Sequence, residues 1–277
     1  MVNSYFAQNN LCSVKKSVVK VISGIDKFNI NQIMKLVKAA EMTGVDYIDI
    51  AANPRIVSVI KSFSNLPICV SSIDPLELYN CVIAGADIVE LGNFDLFYSR
   101  GISFSRNNIL KLSREIKYLL PNTCICVTIP HVLSLKEQLA LVRLLKKIGI
   151  HILQTEGNST SKKISIMDEN KNDIFFRSVI KASASLSILN AITQEFEIPI
   201  IAASGFNIFS SSIAQSYNSS GVAIGSFLRD YNTIIDLSYV LSEISISLSY
   251  QKKDFYHGNF CIKINALILN NSVVINK

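Results

Sequence analysis

PICVSSIDPLELYNCVIAGADIVEL, residues 67–91, holds one complete building unit of this chain. Ile68 to Ser71 is a short β-branched run and reads as a strand. Asp74 followed by Pro75, with Glu77 behind them, opens a helix: the aspartate side chain accepts from free N–H groups and proline suits the first helical turn. The helix runs to Ala84 and Gly85, and Ala86 to Leu91 is the next strand. A second copy follows later. Pro199, Ile200 and Ser204 stand as Pro67, Ile68 and Ser72 do, and Gly221-Val222-Ala223-Ile224 answers Gly85-Ala86-Asp87-Ile88. Each copy is strand, helix, strand, which requires parallel strands joined by crossover helices.

The same alternation extends in both directions. Val18 to Ile22 is a strand, and Asn29 caps a helix carrying Ile33, Leu36, Val37 and Ala40 on one face and ending at Gly44. Val45 to Ala51 is the second strand, and a short helix starts after Asn53-Pro54. A longer connection, Gly92 to Ser105, holds Phe94, Phe97 and Tyr98 before a helix from about Arg106 to Leu120. Thr123 to Ile129 is the fifth strand, Ser134 and Glu137 form a capping box for a helix to Lys147, and Ile150 to Thr155 is the sixth strand. Glu156 to Asp173 is polar and long enough for a mobile loop, and Phe175 to Phe196 is a helix. Ile198 to Ala203, a small helix capped by Asn207, Gly221 to Gly225 and a final helix from Asp230 to about Leu248 complete the series.

Eight such units predict a single α/β domain, a (β/α)8 TIM barrel of the phosphate-binding type over residues 18–248, in preference to a doubly wound open sheet. Residues 1–17 are an N-terminal extension and 249–277 a C-terminal tail of uncertain structure, whose Phe260 to Leu269 run is a candidate hairpin.

Composition narrows the class. Half the residues are hydrophobic (49%) and only 17% charged, which suits strands buried on both faces, yet no run approaches the roughly 18 apolar residues of a membrane span. The net charge of +6 is spread along the helices, so nucleic acid is not an expected partner. Met1 to Lys20 has neither an apolar signal core nor an Arg-rich transit pattern, which predicts a chain made where it works. The six cysteines form no C-x₂-C pair and read as buried thiols in a reducing compartment, with neither a metal nor a disulfide framework indicated.

In this fold the chemistry sits at the C-terminal strand ends, and phosphate commonly binds on the turns after strands seven and eight. Those turns are Ser204-Gly205-Phe206 and Gly225-Ser226, where glycine admits an anion close to the backbone and the serines add hydroxyl donors. Asp49, Glu90 and Glu156 end strands two, four and six, and their convergence would split their pKa values into those of an acid and a base. Lys20, a charge within an apolar strand, is a candidate Schiff-base or phosphate-binding lysine, or emerges at the barrel's lower rim. His131, just past strand five, is placed for proton transfer, whereas His151 opens strand six at the structural end.

The stretches KVISGI (20–25), VDYIDIAANP (45–54), ADIVELGNFD (86–95) and IAASG (201–205) together resemble the uncharacterised hypothetical reading-frame family of red-algal and related plastids and cyanobacteria. The resemblance spans about residues 15 to 248. It implies a barrel-type, organelle-encoded protein of the plastid stroma, and brings no reaction or catalytic residue with it. The two glycine turns also resemble, more distantly, those of phosphate-binding barrels in histidine, tryptophan and thiazole biosynthesis, although the first has Ser-Gly where many of those show Gly-Gly.

Three functions fit this reading. One is an isomerase, lyase or synthase acting on a phosphorylated small metabolite held at the two turns. Another gives the turns to the phosphate of FMN. In the last, the barrel senses a metabolite without catalysis, and the 156–173 loop or the tail after Gln251 meets a partner.

Overall fold

The computed structural model describes residues 17–24, 28–92, 94–157 and 174–249. They form one closed barrel in which every strand pairs in parallel with its neighbours in chain order and the last pairs with the first. The strands are β1 (Val18–Gly24), β2 (Tyr47–Ala51), β3 (Ile68–Ser72), β4 (Ile88–Leu91), β5 (Cys124–Ile129), β6 (Ile152–Thr155), β7 (Ile200–Ala202) and β8 (Gly221–Ile224). Between and after them run α1 (Ile30–Thr43), α2 (Pro54–Lys61), α3 (Pro75–Ile83), α4 (Asp95–Tyr98), α5 (Arg106–Leu119), α6 (Leu135–Ile148), α7 (Ile174–Glu195), α8 (Ile208–Ser216), a 3₁₀ turn (Ser226–Asp230) and α9 (Ile234–Ser249).

Local chemistry explains the boundaries. Asn29, Asn53, Asp74 and Asn207 cap their helices through side-chain oxygens, and Ser134 with Glu137 forms the expected capping box. Gly44 and Gly149 close α1 and α6 in the left-handed region, where a Cβ is unfavourable. The last helix departs from expectation. Asp230 ends the 3₁₀ turn, and α9 begins four residues later because Thr233 Oγ1 accepts from the Asp236 N–H at 3.1 Å and donates to its carboxylate at 2.6 Å. The expected loop at 156–173 and the tail lie largely outside the described residues. Cys69, Cys81 and Cys126 are free and buried as expected, but Cys124 is disulfide-bonded, a pairing that spacing along one chain cannot reveal.

Side chains alternate across the barrel wall. The outward set packs against the helices in the main core, with Ile48, Val70, Val89, Val127 and Leu153 fully buried. The inward set forms a separate apolar layer of Val18, Tyr47, Cys69, Ile88, Cys126, Ile152, Ile201 and Ala223. Two residues further along their strands, again facing inward, stand Lys20, Asp49, Ser71, Glu90, Thr128 and Gln154, all buried. The barrel is therefore filled by an apolar layer with a polar layer on the side of the C-terminal strand ends. Among the described residues no helix is long and apolar enough to cross a membrane.

Candidate active site

The polar layer is organised around Lys20, which β1 delivers to the barrel interior and not to the lower rim. Its Nζ lies 2.9 Å from Asp49 Oδ2, contacts Glu90 Oε2, and donates to Gln154 Oε1 at 2.9 Å. The Tyr47 ring lies beneath it, centroid 5.9 Å from Nζ. Glu90 Oε1 in turn accepts from Thr128 at 3.0 Å and from Gln154 at 2.7 Å, and Ser71 donates to Asp49 at 2.6 Å. Gly92 leaves room for this arrangement, since a Cβ there would run into the Thr128 hydroxyl and the Glu90 carboxylate.

Burial alone would lower the Lys20 pKa, but the charges of Asp49 and Glu90 outweigh it and hold the ammonium well above the ordinary lysine range. A Schiff-base nucleophile must be a free amine. The two carboxylates favour Lys20 as the ammonium instead. Burial raises Asp49 to about 6, with Glu90 adding to the rise and Lys20 and Ser71 opposing it. Burial likewise pushes the Cys69 and Cys126 thiols up, which disfavours their thiolate forms.

Glu156 does not join Asp49 and Glu90 as a third converging carboxylate. It anchors a second cluster at the barrel mouth. One oxygen, Oε2, accepts from Tyr98 Oη at 3.0 Å and from the His131 backbone N–H at 3.0 Å, and lies 3.0 Å from His131 Nδ1. Tyr98 packs edge-on against the His131 ring, and buried Phe94 packs at a tilt against both Tyr98 and Phe104. Gln138 fixes the strand-five exit by donating to the Pro130 carbonyl at 3.0 Å. Asp95, at the start of α4, completes the cluster; burial, and then the charge of Glu156, raises its pKa to about 6, while His131 works to lower it. Tyr98 is raised too, by burial and then by Glu156.

The turn after β7 adjoins this cluster. Gly157 follows Glu156, and a Cβ at Gly157 would meet Ser204 at 3.1 Å. Thr155 Oγ1 accepts from the Ala203 N–H at 2.9 Å, and Ser185 donates to the Ala203 carbonyl at 2.5 Å, so the turn is pinned from two sides. Ser204 and Gly205 both have positive φ, 73° and 82°. At a serine that conformation is uncommon and strained. Among the described residues the N–H groups of Ser204, Gly205 and Phe206 have no protein acceptor. Packing adds to two of the expected roles. Gly205 is also demanded by packing, because a Cβ would collide with the Lys181 carbonyl of α7, and the Phe206 side chain belongs to the core, leaving only its backbone for a ligand.

Gly225 flanks a cavity of about 280 Å³ lined also by Ile22, Ser23, Lys35 and Arg229. The Ser23 hydroxyl there is buried without a hydrogen-bond partner. Ser226 is exposed and opens the 3₁₀ turn that carries Arg229.

Residues 7–254 match the family model described as a protein of unknown function, DUF561. The chain belongs to this family. Members include uncharacterized protein ycf23 of Antithamnion sp., 45% identical over 89% of this chain and 90% of the relative, and that of Pyropia yezoensis, 38% identical over 88% of each. The Cyanophora paradoxa protein is 37% identical over 85% of this chain and 94% of its own length. These relatives are products of plastid genes of algae, which gives the family a plastid origin.

Solved barrels similar in fold include thiamine phosphate pyrophosphorylase from Pyrococcus furiosus, with TM-score 0.54 and 18% identity over 87% of this chain and 100% of that one. A second is (S)-3-O-geranylgeranylglyceryl phosphate synthase from Thermoplasma acidophilum in complex with sn-glycerol-1-phosphate, with TM-score 0.55 and 13% identity over 86% and 94% of the two chains. A third is 3-hexulose-6-phosphate synthase from Salmonella typhimurium, with TM-score 0.56 and 16% identity over 83% and 98%. At these identities the family shares their fold, and nothing finer follows from the likeness.

Proposed function

We propose that the chain is an enzyme of the plastid stroma that acts on a small phosphorylated molecule, as an isomerase, lyase or synthase. The observation that carries the reading is the turn after β7. Its N–H groups at Ser204, Gly205 and Phe206, which have no acceptor among the described residues, adjoin the Glu156–His131–Tyr98 cluster through the Gly157 contact. An anion held on those groups would set the rest of a small ligand over the mouth cluster. The cavity beside Gly225, with Arg229 and Lys35 on its lining, adds positive charge on the neighbouring turn. The similar barrels whose names include phosphorylated compounds support the same class of ligand.

In this reading Glu156 and His131 act on the ligand's reacting part. Lys20 and Glu90, deeper in the barrel, supply a fixed charge pair beneath it. Asp49, itself bonded by Ser71, holds Lys20 in place. No observation favours flavin over other phosphates.

Thermal stabilisation of the purified chain by a panel of sugar phosphates, FMN and inorganic phosphate tests the reading, since a ligand that binds only the native state raises the midpoint by mass action. Stabilisation by one phosphorylated compound, retained in Glu156→Gln while turnover is lost, supports it. No shift with any compound would overturn it in favour of a non-catalytic role.

A further inference from the structure

The two polar clusters differ in one respect. In the interior, the carboxylates of Asp49 and Glu90 share a lysine between them. At the mouth, Asp95 and Glu156 lie together with His131, and among the described residues neither carboxylate is paired with a lysine or arginine. Glu156 is 5% exposed, and Asp95 Oδ1 is buried with no hydrogen-bond donor. A buried carboxylate oxygen lacking both donor and cation costs the full desolvation of that atom. Among the described residues no lysine or arginine pairs with the mouth carboxylates, and Asp95 Oδ1 is an acceptor without a donor.

We propose that Asp95, His131 and Glu156 bind one divalent transition-metal ion of the manganese or zinc type. One ligand atom from each residue lies within 4.8 Å of the other two, and the three come from separate elements at the C-terminal end of the barrel. His131 Nδ1 and Glu156 Oε2, now 3.0 Å apart in direct contact, are close enough for one ion about 2.1 Å from each to take the place of that contact. Two carboxylates and an imidazole are a mixed oxygen and nitrogen set, which suits Mn²⁺ or Zn²⁺ better than the all-oxygen shell preferred by Ca²⁺. Three protein ligands leave positions open for an oxygen of a bound molecule, as a catalytic ion needs. Tyr98, donating to Glu156, would hold that carboxylate in its ligating orientation. The second grouping of metal-ligand types, Asp49, Cys69 and Glu90, already encloses the Lys20 ammonium and has no room for an ion.

The inference concerns the same mouth as the proposed reaction, but it does not depend on the ligand carrying phosphate. With an ion in place, the cluster acts by polarising a ligand oxygen.

The test is calorimetric titration of the chelator-treated full-length chain with Mn²⁺ and with Zn²⁺, alongside Asp95→Asn, Glu156→Gln and the surface control Glu137→Gln. Expected is uptake of one ion per chain, weakened in both site variants by at least the ~10-fold that loss of a mere supporting partner costs, and unchanged in the control. Circular dichroism confirms that each variant is folded. No saturable uptake of either ion by the folded wild type, or site variants that bind the ion as tightly as wild type, overturns the site. Binding of inorganic phosphate to the same metal-free preparations reports on the β7 turn separately, so failure of one proposal is not failure of the other.

Discussion

Replacing Lys20 by methionine tests the account of the barrel interior. The substitution keeps the apolar stem and removes the one cation between Asp49 and Glu90, both buried to 1% exposure or less. Removing one partner of a buried ion pair costs about 3 to 5 kcal/mol, because the remaining charge is left uncompensated. Here two charges remain, and protonation of Asp49 is the relief the pH dependence reads. Without Lys20 to oppose the rise, Asp49 moves up from its present value of about 6. A carboxylate with a raised folded-state pKa binds its proton more tightly when native, so its contribution to stability is present at low pH and lost as pH rises through the shifted value. Protonation of Asp49 recovers about 1.4 kcal/mol per pH unit below that value. Urea unfolding followed by far-ultraviolet circular dichroism near pH 8 and near pH 5 reads this directly. The expected deficit of Lys20→Met is roughly 3 to 5 kcal/mol near pH 8 and smaller by about 1 to 2 kcal/mol near pH 5. Adding Asp49→Asn and Glu90→Gln should restore much of the loss at both. A deficit below about 1 kcal/mol, or one that does not vary with pH, would refute the assignment of Lys20 as the shared counter-charge.

Further outcomes follow from the same geometry. In the wild type, Asp49 at about 6 against an ordinary 3.8 should cost up to about 3 kcal/mol as pH rises through that window, and Asp49→Asn should flatten this part of the stability profile measured by urea unfolding. Gly205→Ala should destabilise by roughly 2 to 4 kcal/mol, since it combines a left-handed φ of 82° with a collision against the Lys181 carbonyl; a loss under about 0.5 kcal/mol would show that the turn and α7 can separate. The thiols of Cys69, Cys81 and Cys126, all buried and raised in pKa, should be inert to a thiol reagent at mildly alkaline pH and react once urea unfolds the chain; prompt native-state reaction at any of them would contradict their burial.

The barrel was legible because its signals are local and repeated. Capping residues stand immediately before helices, and the copies at 67–91 and 199–224 are indeed β3–α3–β4 and β7–α8–β8. Lys20 stood out as a charge in an apolar strand, but its direction depends on register, which only the pairing with Tyr47 and Ala223 fixes. Gln154, Thr128 and Ser71 went unmarked because they are neutral. A usable signal existed: each stands two positions after an apolar inward residue, as Asp49 and Glu90 do. Asp95 and Tyr98 were harder to find, since α4 has four residues and too short a span for periodicity to show. The separation of Glu156 from Asp49 and Glu90 was beyond strand parity, which gives direction but not depth along the barrel axis.

The apolar layer of Tyr47, Cys69, Ile88, Cys126, Ile152 and Ile201 stops the barrel like a floor, with the charged layer resting on it. The interior is thus a well with one opening, and whatever reaches the mouth cluster must leave by the way it came. If two reactants are stacked there, the deeper one is trapped beneath the other, and departure follows the reverse of arrival. The same floor keeps water from threading the barrel to Lys20, so the charge pair at the bottom of the well is hydrated from above or not at all.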